Sequence, residues 1–238
     1  MRGHFYADVR RLSHVLSQSW LIDVAGLFIT FEGTDGSGKS TQMKMLATYL
    51  ASRGMDVLTT REPGGTPLGN RLREALLQTE EHVDPLAELL LYAADRAQHV
   101  RTVLRPAIEQ GRIVLSDRYA DATTAYQGAG RGFPPEMIET VINLATDGLK
   151  PQLTLLFDLP VEDSLVRTRR RGNGDQDRLD AEDLEFHTRV RNAYLKIAAT
   201  EPRRVKIVSA SGSINETQAH VLDIIIPFLR KWSPTGIK

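Results

Sequence analysis

From Leu27 onward the chain repeats one pattern: a short apolar run, a glycine-bearing turn, then apolar residues at helical spacing. That alternation predicts an α/β fold in which a five-stranded parallel sheet is flanked by helices. The runs that read as strands are 27–32, 56–61, 112–116, 153–158 and 204–209, each short and apolar enough to lie inside a sheet. Helical periodicity covers 39–53, 85–110, 135–146, 161–171, 182–200 and 214–232. Pro106 falls inside the second of these, so a break or kink is expected near Arg105. The stretch from Arg169 to Arg178 is charged, carries two glycines and has no apolar residue, which predicts an exposed, mobile loop. No repeat, low-complexity tract or linker divides the chain, so residues 27–238 read as one domain with a short lid at about 169–180.

The bulk properties narrow the partners. At 238 residues the chain can bury a core without disulfides or a structural metal. Its 30 basic and 30 acidic residues cancel, which gives no global attraction to nucleic acid or to an anionic membrane; an anionic ligand must meet a local cluster. There is no cysteine, hence no thiolate chemistry, and the composition suits a reducing compartment. No apolar run approaches the roughly 20 residues that span a bilayer. Residues 1–26 contain Arg10 and Arg11 but no continuous signal-peptide core, and read as a non-catalytic extension. The expected location is cytoplasmic.

Gly33-Thr34-Asp35-Gly36-Ser37-Gly38-Lys39-Ser40 fits G-x-x-x-x-G-K-[ST], between an apolar run and a helical one. Glycines in that position let backbone N–H groups turn inward around phosphates, and the following helix adds its positive end. Lys39 would neutralise β/γ-phosphate charge. Ser40 would offer its hydroxyl to Mg²⁺, and Thr41 continues the turn. Such a cradle does not by itself choose between a GTPase, an ATPase and a small-molecule kinase. The Asn-Lys-x-Asp guanine-reading tetrapeptide is absent, and the third strand runs into Asp117-Arg118-Tyr119 rather than into an acidic pair. An Asp beside an Arg suits metal and phosphate chemistry together.

Further ordered segments carry a resemblance. Phe28-Ile29-Thr30-Phe31-Glu32-Gly33 leads into the cradle, and Thr60-Arg61-Glu62-Pro63-Gly64-Gly65-Thr66-Pro67-Leu68-Gly69 follows the second strand. Tyr92-Ala93-Ala94-Asp95-Arg96, Asp117-Arg118-Tyr119, Ala125-Tyr126-Gln127-Gly128 and Asp177-Arg178 come after it in order. Over nearly everything after Leu27 the chain resembles the thymidylate kinase family. The resemblance implies phosphorylation of dTMP to dTDP with ATP and Mg²⁺, and a homodimer.

Spacing and resemblance agree on the acceptor side. Tyr92 and Arg96, four apart, share a helix face, where a ring can stack on a base and a guanidinium can hydrogen-bond its edge. Arg61, at a strand end, lies near enough in sequence to Pro63-Gly64-Gly65 to approach the acceptor phosphate, with Pro63 shaping the pocket wall. The resemblance assigns Arg118 to the acceptor's phosphate, Asp117 to Mg²⁺ through water, Asp35 to the sugar 3′-hydroxyl, and Tyr126 to excluding a 2′-hydroxyl. Plainer readings stand beside these: a core aromatic for Tyr92, a simple turn after Arg61, a surface ion pair for Asp117 and Arg118, and a solvated charge run for the loop.

Because residues 34–37 of the cradle include no arginine, the arginine for the transferring phosphoryl is expected from the lid, with Arg171 and Arg178 the candidates among Arg167, Arg169, Arg170, Arg171 and Arg178. No general base is needed, since the monophosphate oxygen is itself the nucleophile. Ser209 to Ser213 corresponds to a segment that borders adenine in the family. The chain departs from the family pattern at Asn70 and Asp180, where Glu is usual, and at Ala122, where Ser is usual, leaving Thr123 and Thr124 as the polar groups nearest the thymine edge. Two other readings remain open: a P-loop kinase for another nucleoside monophosphate or a deoxynucleoside, and a noncatalytic nucleotide sensor.

Overall fold

The computed structural model describes residues 26–79, 81–170 and 178–232. Five parallel strands form one sheet: β1 (Leu27–Glu32), β2 (Val57–Arg61), β3 (Ile113–Asp117), β4 (Leu153–Asp158) and β5 (Val205–Ser209), in the order β2-β3-β1-β4-β5. The register pairs Phe31 with Asp117, and Arg61 with the same Asp117 on its other side. The carboxyl ends of β1, β2 and β3 therefore finish level. Strand β1 is buried throughout, and its side chains divide with period two. Leu27, Ile29 and Phe31 join Leu46, Leu50, Val221 and Ile225 on one face, while Phe28 packs with Val100, Leu104 and Val114 on the other.

The helices are α1 (Lys39–Ala51), α2 (Pro67–Leu77), α3 (Pro85–His99), α4 (Arg105–Glu109), α5 (Ala120–Thr123), α6 (Pro135–Thr146), α7 (Val161–Arg169), α8 (Leu184–Thr200) and α9 (Ile214–Trp232). Their starts follow local chemistry. Asp84 caps α3 by accepting from the N–H groups of Leu86 and Ala87, with Pro85 at the first helical position, and Asp183 caps α8 through Phe186 N–H. Helix α2 has no counterpart in the elements expected from periodicity. Its signal was Thr66-Pro67, a cap followed by a first-turn proline: the Thr66 hydroxyl accepts from Gly69 N–H at 2.9 Å.

The break expected near Arg105 takes the form of a wider turn. Residues Val100–Leu104 are π-helical, and Pro106 then sits in the first turn of α4. Proline has no N–H to give and its ring displaces the carbonyl four residues back, so the backbone widens just before it and the helix line continues. A second π-helical segment, Thr124–Gly130, follows α5 directly. Residues 1–25 and 171–177, which include most of the N-terminal extension, Arg171 and the centre of the lid, lie outside the described residues. Among the described residues no helix is long and apolar enough to cross a membrane.

Glu32 closes β1 and is fully buried. Its Oε1 accepts from Tyr119 N–H at 2.7 Å and its Oε2 from the Tyr194 hydroxyl at 2.8 Å, which ties the sheet's carboxyl edge to the residue after Arg118 and to α8. Burial, reinforced by the negative charge of Asp121, raises its pKa from an ordinary 4.5 to about 8. A carboxyl raised in this way holds its proton in the folded chain at pH values where the unfolded chain has lost its own. Stability from this group therefore falls as pH rises from about 4.5 to about 8, and is level above that. In urea unfolding between pH 5.5 and 8, the wild-type chain should lose stability by up to about 1.4 kcal/mol per pH unit from this source. Glu32→Gln should flatten that part of the slope; an unchanged slope in the variant would assign it to other groups.

Candidate active site

Between β1 and α1 the chain makes the turn that the sequence announces. Gly33 has φ 131° and Gly36 φ 78°, a region side chains avoid. A β-carbon would lie 2.4 Å from the Phe157 carbonyl at Gly33 and 2.6 Å from the Ser164 carbonyl at Gly36. The turn is thus wedged between β4 and α7. Ser37 and Lys39 both donate to the Thr34 carbonyl, at 2.7 and 2.8 Å, and the Ser164 hydroxyl donates to the carbonyl of Asp35. Helix α1 starts from Gly38, at φ 86°, with no side-chain cap. Its first N–H groups are left to an anion, which is the arrangement a phosphate requires.

Lys39 is buried, and burial, seconded by the charge of Arg118, lowers its pKa. Asp35 and Asp117 oppose that shift. Ser40, the next residue, directs its hydroxyl to Asp117 Oδ2. A hydroxyl and a carboxylate in contact beside a phosphate cradle form an all-oxygen donor set, which fits Mg²⁺. Ser40 and Asp117 line an open groove together with Lys44, Thr59, Thr60 and Arg61. Arg61, expected near the acceptor's phosphate, is exposed and faces this groove.

On the other side of Asp117 lies a second cavity, lined by Asp35, Glu62, Pro63, Arg73, Leu77, Tyr92, Arg96, Arg118, Ala122, Thr123, Tyr126, Gln127 and Leu179. Nearly every residue expected on the acceptor side is brought together here, with Arg73 in the place expected of Arg61. Arg73, on the unanticipated α2, donates to the Pro63 carbonyl at 3.1 Å. Arg118 Nη2 lies 2.7 Å from Asp35 Oδ2 and 3.1 Å from the Tyr126 hydroxyl, which is itself 3.3 Å from that carboxylate oxygen. Burial works against the charge of Arg118, but Asp35 and the other groups around it outweigh burial, and its pKa rises well above the ordinary value. Its Nε is buried without a hydrogen-bond partner among the described residues, so the guanidinium keeps donor capacity for an incoming anion.

Arg96, one turn after Tyr92 on α3, is held on three sides. Nε meets Glu62 Oε2 at 2.8 Å, Nη1 the Thr123 hydroxyl at 2.7 Å, and Nη2 the Tyr119 carbonyl at 2.9 Å. The other oxygen of Glu62 is 2.8 Å from His99 Nδ1, and His99 Nε2 is 2.7 Å from the Thr60 hydroxyl. Glu62 and His99 carried no assigned role in the sequence because their partners come from different elements. Gln127 was also passed over. It is buried in the cavity wall, and its Nε2 donates to Glu88 at 2.8 Å.

The two lid arginines fare differently. Arg178, expected over the phosphates, instead pairs with Glu88, and its Nε donates to the Leu76 carbonyl at 3.2 Å. The same buried carboxylate also holds Arg131 and Gln127, so Arg178 completes a cluster around Glu88 on α3. Arg171 lies outside the described residues. Arg167, on α7, donates to the Ala210 carbonyl at 3.0 Å and so anchors the segment that follows β5.

Comparison with known proteins gives one answer. The thymidylate kinase family model matches residues 31–221. A thymidylate kinase from Syntrophotalea carbinolica is 51% identical over 194 residues, covering 79% of this chain and 90% of the relative. One from Deinococcus radiodurans is 49% identical over 196 residues, covering 82% and 94%. Among solved structures, thymidylate kinase from Ehrlichia chaffeensis superposes with a TM-score of 0.70 at 34% identity, over 85% of this chain and 99% of that one. A phosphate cradle whose own aspartate opens onto a cavity lined by Tyr92, Arg96 and Tyr126, and this extent of likeness, place the chain in the thymidylate kinase family.

Proposed function

We propose that this chain transfers the γ-phosphoryl group of ATP to the phosphate of dTMP, giving dTDP and ADP, with Mg²⁺ as cofactor. The observation that carries this reading is the double membership of Asp35: it is the third residue of the phosphate cradle and also lines the cavity of Tyr92, Arg96 and Tyr126. Donor phosphates and acceptor nucleotide are thereby set against one another. An acceptor phosphate oxygen attacks the γ-phosphorus, and the bond to the β,γ-bridging oxygen breaks as ADP leaves. Little covalent chemistry falls to the protein, and alignment with charge neutralisation supplies the acceleration.

Gly33 to Thr41 hold the donor's phosphates through backbone N–H groups and Lys39. Ser40 and Asp117 hold Mg²⁺, which when bound offsets charge on the phosphate oxygens. Arg118 and Arg73 take the acceptor's phosphate, and Asp35 and Tyr126 take its sugar, Tyr126 closing the space a 2′-hydroxyl would need. Tyr92 stacks on the base. Arg96 can donate to O4 of thymine, and Gln127, whose Nε2 is committed to Glu88, has Oε1 to accept from N3–H. Arg171 is the arginine proposed for the transferring phosphoryl, whereas Arg178 holds the lid's far end to α3. A homodimer is proposed as well: α3 packs against both α2 and α6, and these helices expose Leu68, Leu86, Leu90, Met137 and Leu144.

Three outcomes test the proposal. ADP formation from ATP and Mg²⁺ should be strong with dTMP, weaker with dUMP, and slight with CMP, AMP, GMP or thymidine; preference for another acceptor would overturn the base and sugar assignments. Asp117→Asn should lower kcat at least tenfold and raise the Mg²⁺ concentration for half-maximal rate, with KM for dTMP little changed; an unchanged Mg²⁺ dependence removes Asp117 from the metal site. Sedimentation should give a dimer for the wild-type chain and a monomer for Leu90→Glu, and a wild-type monomer would refute the dimer.

A further inference from the structure

Glu88 takes no part in the reaction as described, yet it is completely buried one turn before Tyr92 on α3. It gathers four donors. Gln127 Nε2 lies 2.8 Å and Arg131 Nε 3.2 Å from Oε1, while Arg131 Nη2 lies 3.0 Å from Oε2 and Arg178 Nη2 meets the same oxygen. Arg131 is itself held by Glu182 at 2.6 Å. Two half-buried cations on one buried carboxylate exceed what neutralising it demands. Burial alone would push the pKa of Glu88 up; the hydrogen bonds from Arg131, Arg178 and Gln127 overcome it and hold it below the ordinary range. The carboxylate is therefore ionised, and an ionised carboxylate can only accept.

That has a consequence for Gln127. A carboxamide has a donor end and an acceptor end of nearly the same shape, and its environment decides which way it lies. Against an acceptor-only partner, Gln127 must give Nε2 to Glu88, which leaves Oε1 at the opposite end of the amide. Gln127 and Arg96 line the same cavity. Arg96 has donors only. The wall thus offers a base a donor beside an acceptor. Thymine and uracil present the complement, O4 and N3–H. Cytosine presents the reverse, an N4 donor and an N3 acceptor, and meets like against like at both places.

We propose that Glu88 is a positioning residue for base selection, fixing the orientation of the Gln127 amide so that the site accepts 4-keto pyrimidine nucleotides and rejects 4-amino ones. It acts through Gln127 and touches no substrate. Arg131 and Arg178 keep it in its acceptor-only state. The inference rests on the cavity being the pyrimidine nucleotide site.

Glu88→Gln tests it, since a glutamine at 88 can donate or accept and so permits either orientation of Gln127. The ratio of kcat/KM for dTMP over dCMP should fall about tenfold, the worth of one hydrogen bond made or opposed in a buried site. The ratio for dTMP over dUMP should stay constant, because those bases share O4 and N3–H. Arg131→Met removes an ion pair while leaving Glu88 charged by Arg178; it should lower the melting temperature and leave the dTMP to dCMP ratio unchanged. A folded Glu88→Gln chain that keeps the wild-type ratio overturns the proposal. If that variant does not fold, the wild-type chain decides by NMR: the Gln127 side-chain NH₂, identified by its loss in Gln127→Met, should exchange slowly with water in the free protein, and fast exchange overturns the proposal. A wild-type chain with no preference for dTMP over dCMP would instead refute the reading of the cavity itself.

Discussion

A carboxylate inside a phosphate-binding turn repels what the turn exists to hold, and Asp35 is offset there by Arg118, which lies on it at 2.7 Å, and by Lys39 at 3.9 Å. In bulk water such a pair is worth little, but at the edge of the buried cradle the attraction is several times stronger. Much else follows from keeping the pair together. Arg118 reaches Asp35 with its backbone at φ 70°, unusual for a residue with a side chain and costing about 1 to 2 kcal/mol. Its N–H donates to the Phe31 carbonyl, its carbonyl accepts from Ser116 Oγ, and the next N–H is taken by Glu32. The end of β1 and the end of β3 are thus used to hold one arginine.

Three buried glutamates share this logic. Glu32 fixes the backbone after Arg118, Glu62 fixes Arg96, and Glu88 fixes Gln127. Replacing a buried ion pair by apolar groups of the same volume is often neutral for stability, so stability alone is a weak reason for these networks. What each supplies is orientation of a neighbour that lines the cradle or the acceptor cavity. Removing one partner of Glu62 or Glu88 leaves a buried charge uncompensated, at a cost of about 3 to 5 kcal/mol, so geometry and folding are coupled at both of them. The overall neutrality of the chain conceals this: opposite charges are concentrated in pairs at the sheet's carboxyl edge.

The sheet was legible because its strands are short apolar runs whose period changes at glycines, and β1 and β4 end where the pattern ends. The cradle was legible for the same reason, as a fixed spacing of residues close in sequence. Helix α2 was hidden by the breakers around it: Pro63, Gly64, Gly65 and Pro67 read as turn, although Thr66 and Pro67 are also how a helix begins. Losing α2 meant losing Arg73, which approaches Gly64 together with Arg61. The partner of Arg178 was hidden for a related reason. A charged loop shows that guanidiniums are present, but not that a buried carboxylate 90 residues away captures Arg178. Partnerships of this kind, like those of Glu62 with His99 and of Glu88 with Gln127, join elements distant in sequence, and no local pattern encodes them.

Asp117 and Arg118 show what the unusual backbone accomplishes. Neighbouring residues on a strand point to opposite faces of the sheet, so continuing β3 by one residue would have sent Arg118 into the layer of helices. The left-handed turn at Arg118 keeps both side chains at the carboxyl edge while separating their targets. Asp117 turns to Ser40 and the open groove with Lys44 and Arg61; Arg118 turns to Asp35 and the cavity with Tyr92 and Tyr126. A carboxylate and a guanidinium pointing the same way would neutralise each other. Parted by one residue's conformation, each can serve a different side of a single phosphoryl transfer, and the strain at Arg118 is the local cost of building two sites from one strand end.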